Sequence, residues 1–551
     1  MTGKYVIGLD FGTKSGRALL VDAKTGEVAA KASMDYAHGV LDEVLPDGRT
    51  RLSSGWALQH PGDYIETLEY IVRAVVENAG LGAEDISGVS VDFTACTILP
   101  VDASLTPLCY SNRFADRPHA FVKLWKHHAA QEEADEINRL LERRGVLDLP
   151  RYGGRISPEL MLPKVLQILR EDFEVYEAAA QILEAGDWLC QLLTGQKRRS
   201  ASTASYKAMW YNGEYPVDVF TALDERLSNY AGEKLAGEIC PVGGKFGELT
   251  DEWAARLGLL PGTAVGCPII DAHAGMPGCG ITEPGVMMLI LGTSSVEAIL
   301  SETPFSGSGI IGAVKDCIIP GYYALETGLA AVGDAFEWFI NNAVPEQYRK
   351  KAEAAGVNLY HYLGSLTMNY RAGETGLLAL DWWAGNKTPF VDAALSGMIL
   401  GCTPSTKPEH IYRSLVEAAG FGTRMIMDYF TNAGVGINEI RSCGGIAEKD
   451  EFLMQIFADI TNREIKVSAS PETAALGSAV YASTAAGAGR GGHKSVAEAA
   501  RAMSHLRARI YRPNPGQSGL YSRLYDMYRG LCRYFGGEND VMRQLQKLRS
   551  C

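Results

Sequence analysis

Two short polar turns carry the residues of this chain best suited to holding phosphate. The first, Gly12-Thr13-Lys14-Ser15, follows an apolar run at 5–9 and Asp10, and leads through Arg17 into a second apolar run at 18–21. The second, Gly292-Thr293-Ser294, stands between apolar runs at 286–291 and 296–300. Backbone N–H groups and hydroxyls in such a tip cradle phosphate oxygens, and glycine keeps bulky side chains out of the way. A carboxylate at Asp10 can hold Mg²⁺, directly or through water, against those phosphates. Taken singly, each turn is equally an ordinary β-hairpin with a capping aspartate. A third residue, Asp271, ends the apolar run Pro268-Ile269-Ile270 before the small residues Ala272, Ala274 and Gly275. A hydroxyl becomes a good nucleophile toward phosphorus when a base takes its proton, and a carboxylate at a rigid strand edge suits that task. The same spacing also fits a helix N-cap.

The elements that must position these groups form two similar sets. Each turn joins two apolar strands, so the pair of hairpins, about half a chain apart, reads as an internal duplication. In the first half, Tyr64, Leu68, Ile71 and Val75 recur at helical spacing over 61–78, and a strand follows at 86–92. In the second half, Thr406-Lys407-Pro408-Glu409 has the form of a capping box. The helix after it would bury Ile411, Leu415, Ala418, Met425 and Tyr429, ahead of a strand at 440–443 and Gly444-Gly445. An amphipathic helix is expected over 516–536. Gly and Pro cluster at 280–285, placing a domain boundary there: 1–283 and 284–551. The run Gly487–Gly492 matches G-x-G-x-x-G but follows a helical segment, so it is not a dinucleotide site, and no P-loop occurs.

Composition narrows the partners. The 551 residues carry 52 Lys+Arg against 65 Asp+Glu, a net −13 that disfavours nucleic acid. Glycine, 60 residues, is enriched over the usual ~7%, as expected of many turns and close backbone approaches. Eleven cysteines without a C-x-x-C pair point to reduced thiols and a cytoplasmic setting. Asp10 interrupts any signal-peptide core, and no apolar run approaches the ~20 residues of a membrane span. Neither a nucleic-acid nor a membrane partner is expected; a homodimer is compatible with all of this.

Asp10-Phe11-Gly12-Thr13 with Arg17, Gly292-Thr293-Ser294, 442–446 with 452–455 and 458–459, and Ala474-Ala475-Leu476-Gly477-Ser478-Ala479 resemble the phosphate and adenosine motifs of FGGY carbohydrate kinases in order and spacing, from residue 5 to about 486. The resemblance implies α/β architecture, with two actin-like (ribonuclease H-like) domains of duplicated topology, and ATP and sugar in the cleft between them. The sugar would belong to the N-terminal domain and ATP to the C-terminal one. It implies Asp271 as catalytic base; Gly12, Thr13, Lys14, Ser15, Arg17, Gly292, Thr293, Ser294, Gly333, Gly444 and Gly445 on ATP; and Asp10 on Mg²⁺. Within the family, the stretches at 55–61, 91–100, 206–208 and 376–383 are similar to those of L-ribulose kinases. That similarity nominates Ala95, Lys207 and Glu326 for the sugar, with Asp92 and Trp125 lining the pocket. From the residues alone, Lys207 is equally a surface lysine and Glu326 a buried acid or a turn edge. Gly333 opens a helix resembling the adenine-side helix, whose Phe336 and Trp338 are expected in the core.

The implied reaction is ATP-dependent phosphorylation of a ketopentose at its terminal hydroxyl: L-ribulose to L-ribulose 5-phosphate, a step of L-arabinose breakdown. D-ribulose, xylulose and ribitol are the alternatives within the family. A non-catalytic actin-like regulator is the alternative outside it. A repressor of that kind would need a DNA-binding segment before residue 5, and a chaperone a peptide-binding domain after 487; neither is expected here. Three departures from the ribulokinase pattern bear on the sugar rather than on ATP. They are Trp125-Lys126-His127-His128 in place of Trp-Lys-Asp-His, Ser295-Val296-Glu297-Ala298 in place of Thr-Cys-His-Met, and Leu329-Ala330 in place of Gln-Ser. On a helix, neighbouring His127 and His128 would point about 100° apart and would not share a metal.

Overall fold

The computed structural model describes residues 4–145, 151–305 and 307–549; Cys551 lies outside them. Its frame is a pair of seven-stranded sheets. In the first, β1 (Tyr5–Phe11), β2 (Ser15–Asp22) and β3 (Val28–Asp35) form an antiparallel meander. β4 (Ile86–Phe93) joins parallel to β1, while β5 (Lys245–Glu248) is the antiparallel edge of β6 (Ala264–Gly266), itself parallel to β4. A two-residue strand, β7 (Ile269–Ile270), pairs with the far end of β4.

The second sheet repeats the plan. β8 (Gly285–Leu291) and β9 (Ser295–Ser301) form the hairpin; β10 (Ile311–Lys315) is an extra edge strand, and β11 (Tyr323–Thr327) completes the meander. β12 (Ile437–Cys443) and β13 (Ile465–Ser468) add in parallel, and β14 (Leu506–Tyr511) closes antiparallel. The orders β3-β2-β1-β4-β6-β5 and β11-β9-β8-β12-β13-β14 correspond in pairing direction strand for strand, although the chain enters the last two strands in opposite order. This is the duplicated actin-like architecture that the two hairpins announced.

Helices dock on these sheets for legible reasons. α1 (Pro61–Ala79) has His60 as N-cap, proline in its first turn and Gly80 in the left-handed conformation at its end. It buries Tyr64, Leu68, Ile71 and Val75, as its periodicity predicts. Three helices follow closely on strands: α2 (Ala201–Lys207), α3 (Asp271–Gly278) and α4 (Gly333–Ala343). α5 (Pro408–Asn432) starts with the expected proline, but Thr406 does not cap it. Proline fits the first helical position, so Lys407 becomes the N-cap, its N–H reaching His410 Nδ1 at 3.4 Å. Thr406 Oγ1 instead accepts from the Thr403 N–H at 2.9 Å. The buried face of α5 is also wider than predicted: Tyr412, Val416, Ile426 and Phe430 join Leu415 and Ala418, while Ile411, Met425 and Tyr429 are only half-buried.

Beyond the short α6 (Gly445–Lys449), α7 (Thr473–Ala486) belongs to the second half by sequence but lies on the first sheet. A Cβ on Gly477 would fall 1.7 Å from Ala274 O, and one on Gly8 would fall 1.9 Å from Ala475 O. Small residues thus let α7 pack backbone to backbone against α3 and β1. The 487–492 stretch is a single 3₁₀ turn after α7 rather than a strand–turn–helix. The amphipathic helix expected over 516–536 is α8 (Pro515–Arg533), and a further helix, Val541–Arg549, follows it. The ten described cysteines are all unpaired, and no helix among the described residues is long and apolar enough to cross a membrane.

Candidate active site

Three carboxylates converge at the C-terminal ends of β1, β4 and β7. Asp10 and Asp92 are direct neighbours across β1 and β4, and Ile269 of β7 pairs with Asp92, so Asp271 emerges at the same end. Asp10 Oδ2 accepts from Arg17 Nη1 at 2.8 Å. Asp271 is the first residue of α3, not its cap, which is Ile270; its Oδ1 accepts from the Ala272 N–H at 2.7 Å. Burial, then the negative charge of Asp10, push Asp271 up to about 7. Asp92 was expected to line the sugar pocket, but it is fully buried, because Ser478 of α7 covers it and donates to its Oδ2 at 2.7 Å. Its Oδ1 has no hydrogen-bond partner among the described residues, and burial followed by the charge of neighbouring Asp10 raises its carboxyl well above the usual range. An all-carboxylate set with an orphaned buried oxygen fits a hard divalent cation such as Mg²⁺.

Next to Asp271 lies a polar group built from both halves. Lys207 is the last residue of α2, and Glu326 stands on β11. Tyr206 O–H donates to Ala324 O on β11 at 3.1 Å, and its ring meets His273 edge-on at 4.4 Å. His273 Nε2 lies 3.1 Å from Glu326 Oε2, and its Nδ1 lies 3.2 Å from Ser202 Oγ. Burial lowers the His273 pKa against the opposing pull of Glu326, and with the proton on Nε2 the ring donates to Glu326 while its Nδ1 accepts from Ser202. Burial alone would raise Glu326, but the His273 hydrogen bond and charge, with Lys207 and Lys387, outweigh it and take the acid down to about 2. Glu326 is therefore a fixed acceptor. Ala95, half-buried just beyond β4, packs on the same seam.

Trp125, nominated for the sugar, donates from Nε1 to Thr13 Oγ1 at 3.1 Å, so it braces the first phosphate turn as well. Gln59 fixes the same turn, donating to Thr13 O at 2.7 Å. The helix assumed for His127 and His128 is absent: both sit in a loop. His127 is buried, with Nδ1 accepting from the Ala57 N–H and Nε2 3.0 Å from Gln167 Oε1, while His128 pairs with Glu159 at 3.0 Å. They do not converge on an ion. Sequence reasoning passed over His38, His60 and Asp63, which lie together as metal-binding side chains can. His38 Nδ1 pairs with Asp63 at 2.7 Å and His60 Nδ1 caps α1. The two rings stack with centroids 4.4 Å apart and planes 29° apart.

Each turn is closed by its glycine, though the first is one residue longer: the Gly12 N–H donates to Ser15 O at 3.1 Å, and the Gly292 N–H to Ser294 O at 3.0 Å. Lys14 is exposed and Ser15 buried. On the second turn, the Val332 N–H donates to Thr293 O (2.8 Å) and the Gly333 N–H to Gly292 O (3.0 Å). A Cβ on Gly333 would lie 2.6 Å from Gly292 O. Gly444, at φ +94°, could not carry one either, with Leu291 O 2.5 Å away. The second turn, the start of α4 and Gly444-Gly445 thus meet as one glycine-lined surface. Phe336 is buried as predicted, but Trp338 is not: it is 45% exposed and stacks on Trp383 at 4.5 Å. It faces outward on α4, beside Trp383.

Residues 5–278 match the N-terminal domain of the FGGY family of carbohydrate kinases, and residues 287–486 match its C-terminal domain. The chain is 49% identical to the ribulokinase of Anoxybacillus flavithermus over 549 residues, 99% of this chain and 97% of that one. It is equally similar, at 49% over 549 residues, to the ribulokinase of Geobacillus thermodenitrificans, with the same coverage. Among solved structures, the ligand-bound xylulose kinase of Lactobacillus acidophilus shares the fold with a TM-score of 0.79 at 16% identity, over 97% of this chain and 98% of that one. The duplicated sheets, the paired phosphate turns and these matches agree: this chain belongs to the FGGY family of carbohydrate kinases.

Proposed function

We propose that the protein is a ribulokinase, transferring the γ-phosphoryl group of ATP to the terminal hydroxyl of L-ribulose. The observation that carries the chemistry is Asp271, a buried carboxylate raised to about 7 beside Asp10 and open toward Lys207 and Glu326. At that value it is ionised in part at neutral pH and basic enough to accept a hydroxyl proton. In the proposed reaction, Asp271 takes the proton from the sugar hydroxyl as that oxygen bonds to phosphorus, and the bond to the ADP oxygen breaks. Thr13 and Thr293 would hold the phosphates from the two turns, with Gly12, Lys14, Ser15, Arg17, Gly292, Ser294, Gly333, Gly444 and Gly445 around the nucleotide. Asp10 would hold Mg²⁺, with Asp92 behind it; the ion would neutralise phosphate charge. Residues 1–283 and 284–551 would act as the two lobes.

Full-length similarity to ribulokinases supports the choice of sugar. So does the fate of the departures from the pattern. Glu297 points into the second half, bonded to Ser295 Oγ at 3.0 Å and Thr423 Oγ1 at 3.1 Å. Leu329 is core, and His127 lies beneath the Trp125 loop. These changes repack the interior and leave Lys207 and Glu326 in place. The test is ADP release with L-ribulose, D-ribulose, L-xylulose, D-xylulose, ribitol and glycerol on one preparation. L-ribulose should give the highest kcat/KM; glycerol or an aldose as clearly the best substrate would overturn the assignment.

A further inference from the structure

Asp271, Lys207 and Glu326 belong to three separate elements, α3, α2 and β11, and one side chain joins them. His273 stands two residues after Asp271 on α3 and is buried. Its Nδ1 lies 3.2 Å from Ser202 Oγ on α2, and its ring meets Tyr206 of the same helix edge-on at 4.4 Å. The Lys207 ammonium lies 5.8 Å from the centroid of that Tyr206 ring. On the far side, His273 Nε2 lies 3.1 Å from Glu326 Oε2, across the seam between the halves. Glu326 Oε1 makes no hydrogen bond among the described residues, and the side chain keeps 18% exposure. α2 is anchored at its start as well. The Ser200 N–H donates to Asp187 Oδ1 at 2.7 Å, and Ser200 Oγ donates at 2.6 Å to Pro268 O, just before the strand that leads to Asp271.

Ser202, His273 and Glu326 form a Ser–His–acid row, the composition that activates a serine nucleophile. Here Ser202 is wholly buried, so no substrate reaches its hydroxyl, and the row has a different use. A glutamate side chain rotates about several bonds, and ordering it on a ligand costs affinity. A hydrogen bond from a ring that is itself clamped by Ser202 and Tyr206 removes that freedom in advance. It also occupies one carboxylate oxygen and leaves the other for a hydroxyl. We propose that His273 is a positioning residue for the sugar. It fixes Glu326 of the second half against the helix of Lys207, on the same turn as Asp271, and leaves Oε1 to accept from a sugar hydroxyl. The groups that hold the sugar and the base that takes its proton then share one hydrogen-bonded frame.

This inference rests on the reading above, with Glu326 as one of its sugar residues, and the experiment separates the two. His273→Phe, His273→Gln, Glu326→Ala and the double variant His273→Phe/Glu326→Ala are made in the full chain, checked for folding by Tm, and assayed with L-ribulose. His273→Phe keeps a ring against Tyr206 and removes both nitrogens. It should raise KM for L-ribulose at least about fivefold and leave KM for ATP within about twofold, since a hydrogen bond to a charged group is lost. His273→Gln, whose amide can donate to Glu326, should recover part of that loss. The double variant should be no more than about twofold worse than Glu326→Ala alone, because nothing is left to position. A merely structural histidine would add its full loss in either background. Additive losses would overturn the proposal, as would a KM within about twofold of wild type in folded His273→Phe, or a KM for ATP that rises as much as that for the sugar. Should His273→Phe not fold, Ser202→Ala, which frees the other side of the ring, takes its place in the cycle. Glu326→Ala without effect on the sugar would remove Glu326 from the site and the proposal with it, while the kinase reading stands. If the wild-type enzyme does not use L-ribulose, the ribulokinase reading fails by itself, and the cycle is decided on the sugar of highest kcat/KM.

Discussion

In the proposed reaction Asp271 takes the hydroxyl proton, and its environment makes a pH signature. As a base it must be ionised, and burial with the Asp10 charge holds its proton until about pH 7. The kcat/KM for the sugar should therefore fall as pH drops through about 7, approaching a tenfold loss per unit below it. A profile flat from pH 6 to 8 would remove Asp271 as the titrating base. The sequence marked this position as a carboxylate ending an apolar run, which fits a helix N-cap as well, and the family resemblance singled it out as the base. Its partners were less legible. His273 sits two residues later, yet nothing local links it to Glu326, 53 positions away; the link exists only once β11 reaches α3. The Trp125–Thr13 bond likewise joins residues 112 apart. Asp92 was misjudged for the same reason: its strand position was readable, but the helix that buries it arrives 386 residues later.

Elements were readable where one face alternates and unreadable where every face is apolar. The two hairpins and α1 announced themselves by period. α7 did not: its Ala, Gly and Ser repeat is buried on almost all sides, so sequence gave no sign that it crosses to the first sheet. Its glycines make that crossing testable. Gly477→Ala should lower Tm, since overpacking costs about 1–3 kcal/mol and here the obstruction is the backbone oxygen of Ala274. An unchanged Tm would mean that α3 and α7 can separate freely. Gly444→Ala meets both a left-handed φ of +94° and Leu291 O, so it should raise KM for ATP several-fold with little change in sugar affinity. Equal nucleotide affinity in that variant would place the adenosine elsewhere.

At the scale of the whole molecule, the proposed sugar pocket is composite: Lys207 comes from the first half and Glu326 from the second, tied by Tyr206 to Ala324. ATP, held between Thr13 and Thr293, would draw the same halves together and exclude water that would otherwise accept the phosphoryl group. Small-angle scattering should show a smaller radius of gyration with L-ribulose plus a non-hydrolysable ATP analogue than without ligands; an identical radius would indicate a preformed cleft. The duplication behind this geometry was visible in the two hairpins, and the family resemblance nominated Lys207 and Glu326, one from each half, but the contact between their elements was not visible. Only the folded seam puts residues 207 and 326 together. The most direct test of the central claim is turnover of L-ribulose by Asp271→Asn beside wild type, with binding of both substrates measured by calorimetry. Both substrates should bind with near wild-type affinity while kcat falls by roughly 10²–10⁴-fold. An Asn variant that turns over within tenfold of wild type would contradict the mechanism.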